Sequence, residues 1–225
     1  MDTDVLRRAP LFASLDDEAF AALTEEITEV DLSRGATLFH EGDPGDQLYF
    51  IVSGKMKLGR TASDGRENLV AVMGPGEIFG EMALFDPSPR STSATAVSET
   101  RLAGLKHENL RKVIQRSPEV SAQLLQALAR RLRRTNENLA DLVFSDVPGR
   151  VAKALLDLAD RFGRPATDGI LVAHELTQEE LAQLVGASRE TVNKALAEFV
   201  QRGWIRLEAR AVVILDLQRL KQRSR

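Results

Sequence analysis

Arg189, Glu190, Asn193 and Lys194 stand at i, i+1, i+4 and i+5 of a short amphipathic stretch, which gathers two cations, a carboxylate and an amide near one helix N-terminus. That set suits the edges of base pairs. Arginine donates twice to guanine O6 and N7, glutamate accepts from cytosine N4, and asparagine or lysine reaches adenine or guanine. The element that aims them lies in residues 176–200, LTQEELAQLVGASRETVNKALAEFV. Thr177 and Glu180 form a capping box that starts a first helix with Leu181, Leu184 and Val185 on its apolar side, and Gly186 ends it. Ser188 caps a second helix with a core face of Val192, Leu196, Phe199 and Val200, and Gly203 stops it. Ala182, Gly186 and Val192 fall where a helix-turn-helix needs a small residue, a turn and a core residue. Thr177, Gln178 and Ser188 join the four as expected DNA contacts. The competing explanation is a solvated charged face on which Glu190 and Lys194 pair at i,i+4 for a few tenths of a kcal/mol; the helix-turn-helix spacing favours DNA.

A second constellation is the run 76–85, GEIFGEMALF, followed by the irregular Asp86-Pro87-Ser88-Pro89 and then Arg90-Ser91. It predicts a short helix starting near Gly80 with free backbone N–H groups, and a loop bringing a guanidinium and a hydroxyl, a combination that fits a phosphate. Glu81 is repelled by a phosphate and makes sense beside a neutral donor such as a ribose hydroxyl, so the pair implies a nucleotide. Taken singly, Glu81 could complement a helix N-terminus and Arg90 could be a solvated loop charge; in register with Gly80 and Ser91 they fit nucleotide binding better.

Three elements must position these groups. Short strands over 37–40, 47–52, 55–60, 67–73 and 94–105, broken by Ser53-Gly54 and Asp64-Gly65, predict an antiparallel sandwich or jelly roll, and ten of the fifteen glycines precede residue 108. Residues 118–143 predict a long helix with Leu125, Leu128, Leu132, Leu139 and Leu142 on a heptad seam, Thr135 filling the missing position, so this helix is expected to pair in parallel with its copy. Residues 204–207 and 212–215 read as two strands of a wing. Their turn lacks the glycine that tight hairpins prefer, which predicts a longer or strained turn with Arg206 and Arg210 available to phosphates.

A chain of 225 residues suffices for two ordinary domains. With no cysteine it has no disulfide, thiolate-ligated iron–sulfur cluster or Cys-based zinc site. No export signal and no apolar run near 18 residues is visible, so a cytoplasmic protein without a membrane partner is expected. The net charge of −3 is unevenly spread: residues 1–108 carry 10 Lys and Arg against 19 Asp and Glu, residues 109–145 carry 7 against 3, and residues 146–225 carry 13 against 11. The acidic part stays off phosphates, and the basic parts suit DNA with a clear salt dependence.

ASRETVNKAL resembles the recognition helix of the CRP/FNR regulators, and FGEMALFDPSPRS resembles the phosphate-binding cassette of cyclic-nucleotide-binding domains. RRLRRTN, FSDVPGRVAK and VGASRETVNKALAEF look most like the actinobacterial cAMP-receptor branch, the Crp/GlxR group. The resemblance runs over nearly the whole chain in the family's order. It implies an α+β fold with a cyclic-nucleotide-binding β jelly roll (1–117), a dimerisation helix and hinge (118–145) and a winged helix-turn-helix (146–225). It also implies that Gly80, Glu81, Arg90 and Ser91 hold the ribose and cyclic phosphate of cAMP, that Arg131 lies over the pocket, and that Thr135 and Asn136, from opposite subunits, reach the adenine. The expected partners are a palindromic double-stranded operator, a second copy of the chain and RNA polymerase. Three positions depart from the enterobacterial receptors: Lys194 replaces an arginine, Asn136 replaces a serine, and the gap from Glu81 to Arg90 is one residue shorter. Lys194 makes a less bidentate base contact, and Asn136 leaves the preference for cAMP over cGMP open.

His40, His107 and His174 lack metal-ligand spacing, so no metal is expected, and no histidine stands where the family's haem ligands do. Trp204 is expected to close the small C-terminal core. No Walker loop, Gly-x-Ser-x-Gly elbow or clustered carboxylate pair is present, which argues against an enzyme. Two alternatives stay open: a ligand-independent DNA-binding regulator with a vestigial or differently specific pocket, and a nucleotide sensor whose output is a protein partner.

Overall fold

A computed structural model describes residues 3–7, 9, 12, 13 and 15–224, with the side chains of residues 3 and 4 excluded; the start of the chain, on which the expectation of no export signal rests, lies partly outside them. Two compact units form, residues 1–60 with 70–133 and residues 61–69 with 134–225.

The first unit opens with helices α1 (Thr3–Arg7) and α2 (Asp17–Glu25), the latter capped by Asp16, whose carboxylate accepts from Ala19 N–H at 2.7 Å. Strands β1 (Thr28–Leu32), β2 (Thr37–Phe39), β3 (Gln47–Ser53), β4 (Met56–Thr61), β5 (Glu67–Met73) and β6 (Ile78–Phe79) follow, then helix α3 (Met82–Phe85), β7 (Ser93–Ala96), β8 (Thr100–Lys106) and α4 (His107–Arg116). They build two four-stranded sheets, ordered β1-β8-β3-β6 and β2-β7-β4-β5. Alternation along β3 explains why its apolar run is unbroken. Leu48, Phe50 and Val52 face a core shared with Leu23 of α2 and Leu110 of α4, while Ile51 faces Met56 and Leu58 in the core between the sheets. The first sheet is therefore covered on both faces.

The single strand expected over 94–105 is two strands. At 97–99 the chain leaves the second sheet for the first, with Val97 N–H donating to the Lys55 carbonyl at 2.9 Å and Thr100 Oγ1 to the same carbonyl at 3.0 Å. Strand β1 and helices α2 and α4 went unforeseen.

Helix α5 (Glu119–Phe144) has no internal Gly or Pro. Its first turns are anchored by buried Val120 and Leu124, but Leu125, Leu132 and Leu139 are each 62% exposed and Leu142 51%, so the seam runs along the helix as an uncovered apolar stripe.

The second unit continues with α6 (Val147–Phe162), capped by Asp146, whose Oδ1 accepts from Gly149 N–H at 2.9 Å. After it come β9 (Gly163–Ala166), β10 (Gly169–Val172), α7 (Gln178–Val185), α8 (Arg189–Gln201), β11 (Ile205–Glu208), β12 (Ala211–Ile214) and α9 (Leu217–Arg223). The four strands form one sheet, β11-β12-β10-β9, over a core of α6, α7 and α8 that contains Leu155, Leu181, Val192 and Phe199. Trp204 stacks on Phe199 at 5.4 Å and closes that core as expected.

Candidate functional site

Two sets of groups occupy separate units. In the first unit, Phe79 and Gly80 carry the chain from β6 into the α3 turn, with Glu81 in the N-cap position and Leu84 pinning the helix into the core. The helix expected near Gly80 thus begins at Met82. Gly80 is required: its φ is +81°, and a Cβ there would stand 2.7 Å from Arg90 Nη1 and 2.9 Å from the Gln47 carbonyl.

Arg90 is 7% exposed and is a structural hub. Its Nη1 donates to the Gly80 carbonyl at 3.0 Å and its Nη2 to the Gln47 carbonyl at 2.8 Å, while the guanidinium carbon sits 4.3 Å from the centre of the Phe39 ring. Burial lowers its pKa, opposed by Tyr49, Asp46, Glu81 and Asp43. Glu81 is 2% exposed, and its Oε1 accepts from Arg131 Nη1 of α5 at 3.0 Å.

Glu81 Oε2 and Arg90 Nε are buried and have no hydrogen-bond partner. An unpaired buried acceptor and an unpaired buried donor are costly to retain, about 1–3 kcal/mol each and more for charged groups. Arg90 lines a cavity with Phe39, Phe79, Gly80, Ser91 and Arg131 among others, and Glu81 is tied to that lining through its bond to Arg131. Ser91 is exposed, with its Oγ 3.7 Å from Met82 Sδ. Of the seven residues predicted for this site, the structure brings Gly80, Glu81, Arg90, Ser91 and Arg131 together; Thr135 and Asn136 are exposed further along α5.

The chemistry of this donor set fits a ribose phosphate: an acceptor for a hydroxyl, a buried cation for an anion, and an apolar wall. Three participants escaped sequence reasoning. Gln47 enters through its carbonyl and Phe39 through its ring face. His107, considered above only as a metal ligand, places Nε2 3.1 Å from the Gly80 carbonyl.

In the second unit, the capping box forms as predicted: Thr177 Oγ1 accepts from Glu180 N–H at 3.1 Å, and Thr177 N–H donates to Glu180 Oε2 at 2.7 Å. Gly186 ends α7 at φ +69°, with its N–H and that of Ala187 returning to the Ala182 carbonyl. Arg150 of α6 locks this turn by donating from Nε to the Val185 carbonyl at 3.0 Å and from Nη1 to the Ser145 carbonyl at 2.7 Å. Gly186→Ala is expected to lower stability by about 1–2 kcal/mol, because alanine resists the left-handed conformation. Its new methyl would also meet Leu142 Cδ2 at 2.9 Å. Thermal denaturation followed by circular dichroism checks it; an unchanged midpoint would show that the turn relaxes freely.

Ser188 caps α8 through Thr191 N–H at 3.2 Å. Thr177, Gln178, Ser188, Arg189, Glu190 and Lys194 are exposed, and Asn193 is half-buried with an unpartnered Oδ1. Lys194 Nζ and Glu190 Oε1 pair at 2.7 Å, as the solvated-face explanation requires. Both side chains are more than 70% exposed, so the pair is worth under about 1 kcal/mol and does not withhold them from a ligand. Val200, assigned to the core, is 41% exposed, and Ala195 at 2% takes the inward position.

The turn of the wing takes the strained form of the two expected. Glu208 pairs with Ala211 across a two-residue turn in which Arg210 holds φ +57°. Its carbonyl accepts from Glu175 N–H at 2.9 Å, another residue with positive φ, so the strain is real although the loop is not long. Arg206, expected to be available to phosphates, pairs at the surface with Asp168 and Glu208. Among the described residues no group of three or more His, Cys, Asp or Glu side chains could hold a metal ion, and no helix is long and apolar enough to cross a membrane.

Residues 29–117 match the cyclic nucleotide-binding domain family and residues 149–223 the Crp-like helix-turn-helix domain. The chain is 58% identical, over 99% of both chains, to a CRP-like cAMP-activated global transcriptional regulator of Mycobacterium tuberculosis. It is 36% identical to a cyclic AMP receptor protein of Thermus thermophilus, covering 96% of this chain and 97% of that one. The structure of FixK2 from Bradyrhizobium japonicum superposes with a TM-score of 0.80 over 88% of this chain and 98% of that chain at 24% identity, a likeness of fold.

Proposed function

The chain belongs to the CRP/FNR family of transcription regulators, and on that premise we propose that it is a cAMP-responsive homodimer that binds a palindromic operator and performs no catalysis. One observation carries the ligand half of this reading: Arg90, which lines a cavity, keeps a buried unpartnered Nε, and Glu81, held by Arg131 of the same lining, keeps a buried unpartnered Oε2. Glu81 would accept from a ribose hydroxyl, while Arg90, Ser91 and the backbone after Gly80 would take the cyclic phosphate. Arg131 orients Glu81 from α5. Thr135 and Asn136, contributed by opposite subunits, would meet the adenine. The domains follow as nucleotide-binding 1–117, dimerising 118–145 and DNA-binding 146–225.

The exposed seam of α5 supports pairing with a second copy, since knobs at Leu125, Leu132 and Leu139 need a partner helix to leave water. Leu139→Glu is expected to shift the protein from dimer to monomer at micromolar concentration in sedimentation velocity; an unchanged dimer would place the interface elsewhere.

Each subunit would set Arg189, Glu190, Asn193 and Lys194 in one major groove, with Thr177, Gln178 and Ser188 at the flanking backbone, half-sites about one helical turn apart. The dimer exchanges between arrangements, and its pockets must bind cAMP more tightly in the one whose recognition helices match the operator, or nothing would switch. Contact with RNA polymerase is the route from there to transcription.

The test is titration of a GTGA/TCAC-type palindrome with protein at physiological salt, with and without cAMP, against scrambled DNA. Tightening by cAMP supports one coupled switch. Equal specific binding in both conditions would favour a ligand-independent regulator, and absence of specific binding would discard the DNA reading.

A further inference from the structure

The Gly80 carbonyl accepts two hydrogen bonds, from Arg90 Nη1 at 3.0 Å and from His107 Nε2 at 3.1 Å. A carbonyl oxygen only accepts, so His107 donates from Nε2 in either charge state. His107 is 6% exposed and is the first residue of α4, and its backbone N–H donates to the Asp46 carbonyl at 2.8 Å. The ring thus ties the start of α4 to the turn that presents Glu81 and the unpartnered edge of Arg90. Another residue of α4, Arg111, donates from Nη2 to the Leu84 carbonyl at 3.1 Å, so the same helix grips both sides of the cassette.

The charged groups that face the ring are Arg90 from the cassette, Arg111 from its own helix and Asp46 from the loop before β3; Glu81 and Tyr49 face Arg90 in turn. Burial foremost, with the two arginines adding to it, holds the imidazole pKa below its ordinary value, against the Gly80 hydrogen bond and Asp46. The ring is therefore neutral at neutral pH beside a buried cation that awaits an anion.

We propose that His107 is a positioning residue of the nucleotide pocket, fixing Glu81 through the Gly80 carbonyl, and that it makes nucleotide affinity rise as pH falls. The inference rests on the nucleotide reading above. An anion next to Arg90 offsets the positive field that opposes protonation of His107, so binding draws a proton to the ring. The free protein's His107 titrates below the ordinary histidine value and the complex titrates higher. Affinity then increases as pH drops through the complex's value and levels off below the free protein's. One unit between the two corresponds to about tenfold in affinity.

The experiment is calorimetric titration of the full-length protein with cAMP from about pH 8 to about pH 5.5, in buffers of different protonation enthalpy. Wild type should bind up to about tenfold more tightly at the acid end, with proton uptake. His107→Gln keeps an N–H for the Gly80 carbonyl but does not titrate, so it should bind within about threefold of wild type at pH 8 and lose both slope and uptake. His107→Leu should be weaker at every pH. The His107 ring resonances of the wild type report the same rise in pKa on adding cAMP, without any substitution. A flat profile without proton uptake, or a slope retained in His107→Gln, overturns this inference alone. Absence of cAMP binding at every pH overturns the pocket reading and this inference with it.

Discussion

Arg90→Ala is expected to weaken cAMP binding by roughly thirtyfold to several-thousandfold, the range for truncating one partner of a buried, hydrogen-bonded charge pair at about 2–5 kcal/mol. The structure adds a second consequence. Because Arg90 also serves the Gly80 and Gln47 carbonyls, its removal takes a hydrogen bond from each, and although His107 still serves Gly80 the fold should lose stability as well. The two effects separate by comparison with Ser91→Ala. Ser91 is exposed and its hydroxyl makes a weak contact to Met82, so that variant should bind less tightly and melt like wild type. Calorimetry and thermal denaturation of both variants decide. Undiminished affinity in a folded Arg90→Ala would remove the guanidinium from the site.

The second large effect belongs to the other unit. Arg189→Ala should reduce operator affinity by about thirtyfold to ten-thousandfold, since each bidentate base contact discriminates by about 1–3 kcal/mol and a dimer makes it twice. Binding to scrambled DNA should change little by comparison, because phosphate contacts elsewhere carry the nonspecific affinity. Arg189 is the first residue of α8, exposed beyond the Ser188 cap, so its loss should not disturb the helix. Competition binding between operator and scrambled duplexes measures the ratio. A variant that keeps its preference would show that another element reads the sequence.

The helix-turn-helix was legible because its determinants are local. Thr177 and Glu180 close a capping box across three residues, and Gly186 takes the left-handed conformation that its lack of a Cβ permits. The seam of α5 was legible for a related reason: leucines at 125, 132 and 139 repeat with the helix's own period, whatever covers them. Where helical spacing had to be converted into burial, it missed. Val200 fits the apolar stripe of α8 but remains exposed, since the width of the buried face is set by what packs against it.

The nucleotide site divides the same way. Glu81, Arg90 and Ser91 stand close in sequence, and their types alone named the chemistry. Arg90's bond to Gln47 spans 43 residues and His107's bond to Gly80 spans 27, so no periodicity or neighbouring residue announces either. The turn at 97–99 is similar: no glycine, proline, asparagine or aspartate marks it, and only pairing with distant strands sends β7 to one sheet and β8 to the other. By itself the sequence determined the elements whose hydrogen bonds and side-chain spacing close within a turn or two: the capped recognition helix, the heptad helix, and the residue types of a phosphate-and-ribose cassette. Tertiary structure alone decided which carbonyls Arg90 grips, that Glu81 and Arg90 are buried with one unpaired atom each, and that His107 joins them. Those facts depend on long-range packing, where a group's water is removed by residues far away in the chain.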